Sequence, residues 1–177
     1  VAGKLSHTGF MKAYNDHLQA LSSIDFEQVA RITERIRTCK GIVYWMGNGG
    51  SAADSQHMAG ELMGVGIKSI ALTDSSVLTA TANDICYEDV FAAQIATLCT
   101  GDDILIGLTT SGKSRNIIDG FLVADALDVF TIAFTGRQPL YVDECVNIDS
   151  DSTPRIQEAH EFIGHLIYEE IKAEKDS

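Results

Sequence analysis

Thr109-Thr110-Ser111-Gly112-Lys113-Ser114 places four hydroxyl side chains in one turn, directly after an apolar run and directly before a stretch that reads as helix. At a helix N-terminus the first amide N–H groups have no partner within the helix and the dipole is positive, so an anion is favoured there. A single Ser or Thr at such a place is ordinarily a cap, but one cap needs only one hydroxyl, and four together point to a phosphate. A second turn, Gly47-Asn48-Gly49-Gly50-Ser51, also links an apolar run to a helical one. It matches a dinucleotide fingerprint only weakly, because Ala52 stands where G-x-G-x-x-G has its third glycine. Gly112-Lys113-Ser114 lacks the preceding glycine of a P-loop, which disfavours nucleoside triphosphate hydrolysis.

His57 and Glu61 lie four residues apart on the helix after the glycine turn, so both reach toward one point. The pair could ligate a metal, or join a base to an acid; a surface pair with neither role has the same spacing. Gln157 and His165 share the last helix but lie eight residues apart, a rise of about 12 Å, so only convergent side chains could bring them to one ion.

These residues need a scaffold that gathers both turns at one end. The runs Ile42–Met46, Ser69–Thr73, Ile104–Leu108, Val129–Phe134 and Cys145–Ile148 read as short buried strands. Helical stretches alternate with them, including Ala52–Met63, a segment ending near Leu127, and a last helix from Pro154 to Ala173 with its proline in the first turn. Two amphipathic helices precede the first strand, one carrying Leu5, Met11, Tyr14, Leu18 and Leu21, the other Phe26, Val29, Ala30, Ile32 and Ile36. This alternation predicts a parallel sheet covered on both faces, with ligands bound beyond the carboxyl ends of its strands, where both polar turns fall. At 177 residues, with no linker or repeat, one domain over 1–177 is expected. A net charge of −12 argues against broad contact with nucleic acid, but a small anion can still be held by local N–H groups and hydroxyls. No apolar stretch reaches membrane-spanning length and no export signal is visible, so a cytoplasmic protein is expected. Cys39, Cys86, Cys99 and Cys145 show no C-x-x-C spacing and read as reduced packing thiols.

The run from Gly47 to Leu62, G-N-G-G-S-A-A-D-S-Q-H-M-A-G-E-L, resembles the signature of sugar isomerase (SIS) domain proteins, specifically the phosphoheptose isomerases. The hydroxyl turn is similar to their S-T-S-G-N-S loop, Thr153–His160 is similar to their R-I-Q-E-x-H segment, and Asn83-Asp84 also fits. The resemblance spans nearly the whole chain in order. It implies a flavodoxin-like three-layer α/β/α domain with a five-stranded parallel sheet, an N-terminal helix pair and a long C-terminal helix. It further implies a homotetramer that converts sedoheptulose 7-phosphate, a phosphorylated seven-carbon sugar, to D-glycero-D-manno-heptose 7-phosphate. By matching positions, Ser51, Thr109, Thr110, Ser111 and Ser114 hold the phosphate, while Asn48 and Asp84 position the sugar. Zinc sits among His57, Glu61, Gln157 and His165, with Glu61 and Gln157 also touching substrate. Glu61 is then the base and His165 the acid of an enediol mechanism. His160 is left as a structural residue or one that supports the site from behind.

Two departures stand out. After Glu61 the family continues Leu-x-Gly-Arg and a basic loop, whereas Leu62-Met63-Gly64-Val65-Gly66-Ile67-Lys68 leads straight to a strand without arginine; the segment after Thr135-Gly136-Arg137 is similarly short. The rival readings are a non-catalytic adaptor, similar to SIS proteins that associate with a replication initiator, and a sugar-phosphate sensor. The adaptors lose the positions matching Glu61 and His165, and this chain keeps both.

Overall fold

The computed structural model describes residues 7–176. The elements are α1 (His7–Ser22), α2 (Phe26–Arg37), β1 (Val43–Gly47), α3 (Gly50–Gly64), β2 (Ser69–Ala71) and α4 (Ser75–Asp84). A 3₁₀ turn at Tyr87–Asp89 follows, then α5 (Ala92–Leu98), β3 (Ile104–Thr109), α6 (Arg115–Ala126), β4 (Phe130–Thr135), β5 (Glu144–Asn147) and α7 (Thr153–Lys175). The strands form one sheet in the order β2-β1-β3-β4-β5, every neighbouring pair parallel. This is the expected three-layer α/β/α architecture, and each expected strand and helix boundary falls within two residues of the observed one.

Successive strand residues point to opposite faces, so each strand feeds two cores. Val43 and Trp45 of β1 pack with Ile104, Ile106, Ile132 and Phe134 beneath helices α2, α3 and α7. Tyr44 and Met46 pack with Leu105, Ala133, Phe91, Ile95, Ile117 and Phe121 beneath α5 and α6. Burial on both faces is why these strands read as unbroken apolar runs rather than alternating ones. Trp45, fully enclosed, still spends its indole N–H on Ser69 Oγ at 2.9 Å, tying β1 to β2.

On α1 the expected apolar stripe is not a core face: Phe10, Met11, Tyr14 and Leu18 are exposed, and Ala20 is the fully buried residue of the helix. Leu5 lies outside the described residues. Among the described residues no helix is long and apolar enough to cross a membrane, and all four cysteines are free.

The sheet order has one reversal of direction. From β1 the chain goes outward to β2, then returns past β1 to β3, so the connections leaving β1 and β3 diverge and a crevice opens beyond their carboxyl ends. Gly47–Ser51 follows β1 and Thr109–Ser114 follows β3. Both polar turns therefore face one another across this crevice.

Candidate active site

A cleft of about 300 Å³ occupies the crevice, lined by Asn48, Gly49, Gly50, Ser51, Thr109, Thr110, Ser114, Thr153 and Gln157 together with Leu108. Three helices begin on it: α3 after Gly49, α6 after Ser114 and α7 after Ser152. None of these three N-cap residues makes a side-chain capping bond. Of the helices that begin elsewhere, α2 and α4 are capped by Asp25 and Asp74, while α5, which follows Phe91, has no side-chain cap. Uncapped N-termini keep free N–H groups and a positive dipole end, and here three of them converge.

The hydroxyl turn can now be separated from simple capping. Ser114 occupies the N-cap position of α6 but does not cap it. The Thr109 Oγ1 atom is buried without a hydrogen-bond partner among the described residues, which is costly for a hydroxyl left unpaired. Ser111 Oγ accepts the Lys113 N–H at 3.1 Å and so shapes the turn. The arginines nearest in sequence are spent outside the cleft: Arg115 pairs with Asp119, Arg137 with Asp149 and Asp151, and Arg155 with Glu158. What the cleft presents is hydroxyls and backbone N–H groups, with these three arginines directed elsewhere.

Glycine is required in the first turn. Gly49 has φ 58° and ψ −121°, which L-residues rarely adopt. At Gly50 the constraint is space: a Cβ there would fall on the side-chain amide of Gln157. Gly50→Ala is therefore expected to leave the melting temperature unchanged or slightly raised, since alanine favours the helix, while displacing Gln157 into the cleft. Inorganic phosphate, titrated by calorimetry, should bind roughly tenfold more weakly, about 1.4 kcal/mol. Unchanged affinity would remove Gln157 from the cleft's function.

Asn48 is held on three sides. Its amide N–H donates to Asn116 Oδ1, and its Oδ1 accepts from Asn116 Nδ2 and from the Tyr87 hydroxyl, each at 2.9 Å. Neither Asn116 nor Tyr87 was singled out from the sequence; their role as braces depends on tertiary contacts that no local pattern records. Asp84, at the end of α4, is exposed and accepts from Asn83 at 2.8 Å; it is not part of the cleft lining.

Below the cleft, α3 and α7 run side by side in the same direction, and their facing residues form a ladder. Gly50 meets Gln157, Asp54 senses the charge of Glu161, and His57 meets His165, Nε2 to Nε2 at 3.1 Å with the rings at 81°. Close approach is allowed by Gly164, where a Cβ would collide with Met58. Burial raises the Asp54 carboxyl to about 6, the neighbouring Glu161 adding to the rise and His57 opposing it.

Of the four expected metal ligands, the structure brings His57 and His165 together. The carboxylate grouped with them is Glu161: ligand atoms of His57, Glu161 and His165 all lie within 4.8 Å of one another. Gln157 sits two turns up, against Gly50. Glu61 is half-buried one turn beyond His57 and is not a member of that group. Two imidazoles and a carboxylate suit zinc and other first-row divalent ions, so the residues present fit a metal. Glu161 could have been found from the sequence, since Gln157, Glu161 and His165 repeat every four residues along one helix face.

The chain is similar to known proteins in sequence and in fold. A model of the SIS domain matches residues 9–136. The phosphoheptose isomerase of Akkermansia muciniphila is 42% identical over 172 residues, covering 90% of this chain and 91% of that protein. Among solved structures, a phosphoheptose isomerase from Neisseria gonorrhoeae superposes with a TM-score of 0.84 at 34% identity, over 93% of this chain and 96% of that one. One from Francisella tularensis gives 0.86 at 29% identity, over 96% and 100%.

Proposed function

The chain belongs to the SIS domain family, and from that premise we propose that it is a phosphoheptose isomerase, interconverting sedoheptulose 7-phosphate and D-glycero-D-manno-heptose 7-phosphate. The observation that carries this reading is the convergence of three uncapped helix N-termini and the unpartnered Thr109 hydroxyl on one cleft, continuous with a seam that pairs His57 with His165. An anion-binding end joined to a proton-transfer end is what a sugar phosphate isomerase requires.

The phosphate is held by Ser51, Thr109, Thr110, Ser111 and Ser114 with the N–H groups of α3 and α6. Asn48, fixed by Asn116 and Tyr87, and Gln157, fixed against Gly50, orient the sugar, with Asp84 closing on it from the end of α4. Glu61 removes the proton from the carbon beside the carbonyl and returns it to the neighbouring carbon. His165 moves a proton between the two sugar oxygens as the enediol forms and collapses. Zinc fits at His57 and His165, and the family pattern would add Glu61 and Gln157; when bound it polarises the carbonyl oxygen.

The chain acts as one SIS domain over 1–177 in a homotetramer, a state supported by the exposed apolar face of α1. Free thiols at all four cysteines accord with the cytoplasm, and the product is a precursor for heptose-containing lipopolysaccharide.

The test is to follow sedoheptulose 7-phosphate by NMR in deuterated buffer with purified protein, with and without added zinc. Aldoheptose signals carrying deuterium on the carbon beside the new aldehyde are expected. Binding without product or exchange would favour the adaptor or sensor reading instead.

A further inference from the structure

At the opposite end of the sheet, where β1 and β2 begin, residues 39–41, residues 66–68 and the last turn of α7 enclose a cleft of about 450 Å³. Four of the chain's 13 Lys and Arg residues line it, Arg37, Lys40, Lys68 and Lys175, and Glu174 is the one carboxylate of the lining. In a chain of net charge −12 this is a local reversal of sign. We propose that the cleft is a second ligand site, which binds a small molecule carrying a diphosphate.

A plainer role for these cations is to answer helix C-termini, because α2, α3 and α7 all end beside the cleft with unpaired carbonyls and negative dipole ends. That role accounts for two of the four. Lys175 Nζ donates to the Val65 carbonyl at the end of α3, and Arg37, in the last turn of α2, is held by Glu34 and Glu174. It does not account for Lys40 and Lys68. Both stand in loops, both are exposed, and neither ammonium group has a hydrogen bond or ion pair among the described residues. The carboxylates close by are otherwise placed. Asp103, behind Gly41, accepts from the Ile42 and Thr100 N–H groups and from the Thr100 hydroxyl, and Asp102 lines an adjoining cavity with Arg35. Two like charges left unpaired on one cleft repel each other, and a bound anion removes that cost. Size and walls select the ligand class. The volume is that of a small-molecule site rather than of a lone phosphate, and Ile67 and Ile171 offer an apolar wall to the body that carries the diphosphate. Lysines act as point-charge partners for its oxygens.

This site is independent of the isomerase reading: the 15 residues of α3 separate it from the turn at Gly49 and Ser51, a rise of about 22 Å. The two ends can therefore be read apart by NMR. Purified protein, isotopically labelled at glycine nitrogen, is titrated with ADP and with inorganic pyrophosphate at constant ionic strength, with inorganic phosphate present to occupy the other cleft. Gly41 and Gly66 report on this cleft, and Gly49 and Gly50 on the other. ADP is expected to shift the Gly41 and Gly66 signals saturably, with a Kd below about 1 mM, and pyrophosphate to do so more weakly because it leaves the apolar wall uncovered. Replacing both lysines, Lys40→Gln with Lys68→Gln, should weaken ADP at least roughly tenfold, since two charge-assisted contacts are lost. The melting temperature and the response of Gly49 and Gly50 to inorganic phosphate should not change, because both lysines are exposed and lie far from that cleft. Absence of a saturable shift at Gly41 and Gly66 overturns the proposal, and so does undiminished ADP affinity in the double variant. Shifts confined to Gly49 and Gly50 would put both probes in the other cleft and overturn it equally, while leaving the isomerase reading intact.

Discussion

Glu61→Gln should abolish isomerisation while inorganic phosphate still binds within a few-fold of the unaltered affinity. Glutamine keeps the size and polarity of the side chain but cannot take a proton, and loss of a positioned base costs about 10²–10⁴ in rate. The anion site is at the other end of α3, around Gly49, Gly50 and Ser51, so its hydroxyls and N–H groups are left in place. Deuterium exchange into sedoheptulose 7-phosphate is the sensitive readout, because it detects proton removal even when product is too scarce to see. Full exchange by the variant would mean that another group is the base.

The second large effect concerns stability. His160 is 1% exposed and fits between Phe134 and the end of β4, with Nε2 donating to the Thr135 carbonyl at 3.2 Å and Nδ1 buried without a partner. A second ring proton would have no acceptor, and burial lowers the His160 pKa to about 4. Between pH 6.5 and about 4 the unfolded chain therefore takes up a proton that the folded protein refuses. The stability this group confers is present above pH 6.5 and lost as pH falls, on the order of 3 kcal/mol by pH 4. Asp54 works in the opposite sense, since its raised pKa lets the folded protein bind a proton first over a similar range. The comparison that isolates His160 is thus with His160→Gln, which keeps a donor for Thr135 but does not titrate. In urea unfolding at a series of pH values, the variant should gain on the unaltered protein by about 3 kcal/mol between pH 7 and pH 4. A pH-independent difference between the two would show that His160 titrates in the folded protein as it does in the unfolded chain, and a difference of the opposite sign that it is charged in the fold.

His160 also illustrates how scaffold and site are joined. It ties α7 to the end of β4, where Gly136 lies against the Thr110 carbonyl, so a structural histidine supports the back of the hydroxyl turn. The sequence leaves it as structural or as a support behind the site, and it is 1% exposed.

Strands and polar turns were legible because their signals are local. A strand buried on both faces is a short apolar run, and a turn that must adopt φ 58° contains glycine. The segment between β2 and β3 was harder: α4, the 3₁₀ turn and α5 are short pieces whose breaks are set by packing under β1 and β3, and it read only as helical material. Of the cleft residues, Thr109, Thr110 and Ser114 stand out by composition, and Ser51 enters through the resemblance. Which residues of α7 meet which of α3 is not legible in that way. Spacing along a helix says which side chains share its face, but it does not say how one helix is phased against another. That phase depends on Gly164 admitting Met58 and Gly50 admitting Gln157, contacts between residues more than 100 positions apart. Glu61 and Glu161 are each one turn from a candidate histidine; Glu61 carries the family motif, and Glu161 comes into view through its closeness to both imidazoles.

The parallel seam of α3 and α7 has a consequence for selectivity. Gln157, at the anion cleft, and His165, at the proton-transfer end, are eight residues apart on one helix, a rise of about 12 Å. A helix packed along its length cannot shorten, so the two ends form a ruler. On the proposed roles, a sugar anchored by its terminal phosphate would present its carbonyl to the histidines only if its carbon chain spanned that gap, and a shorter phosphosugar seated in the same cleft would stop short of the chemistry.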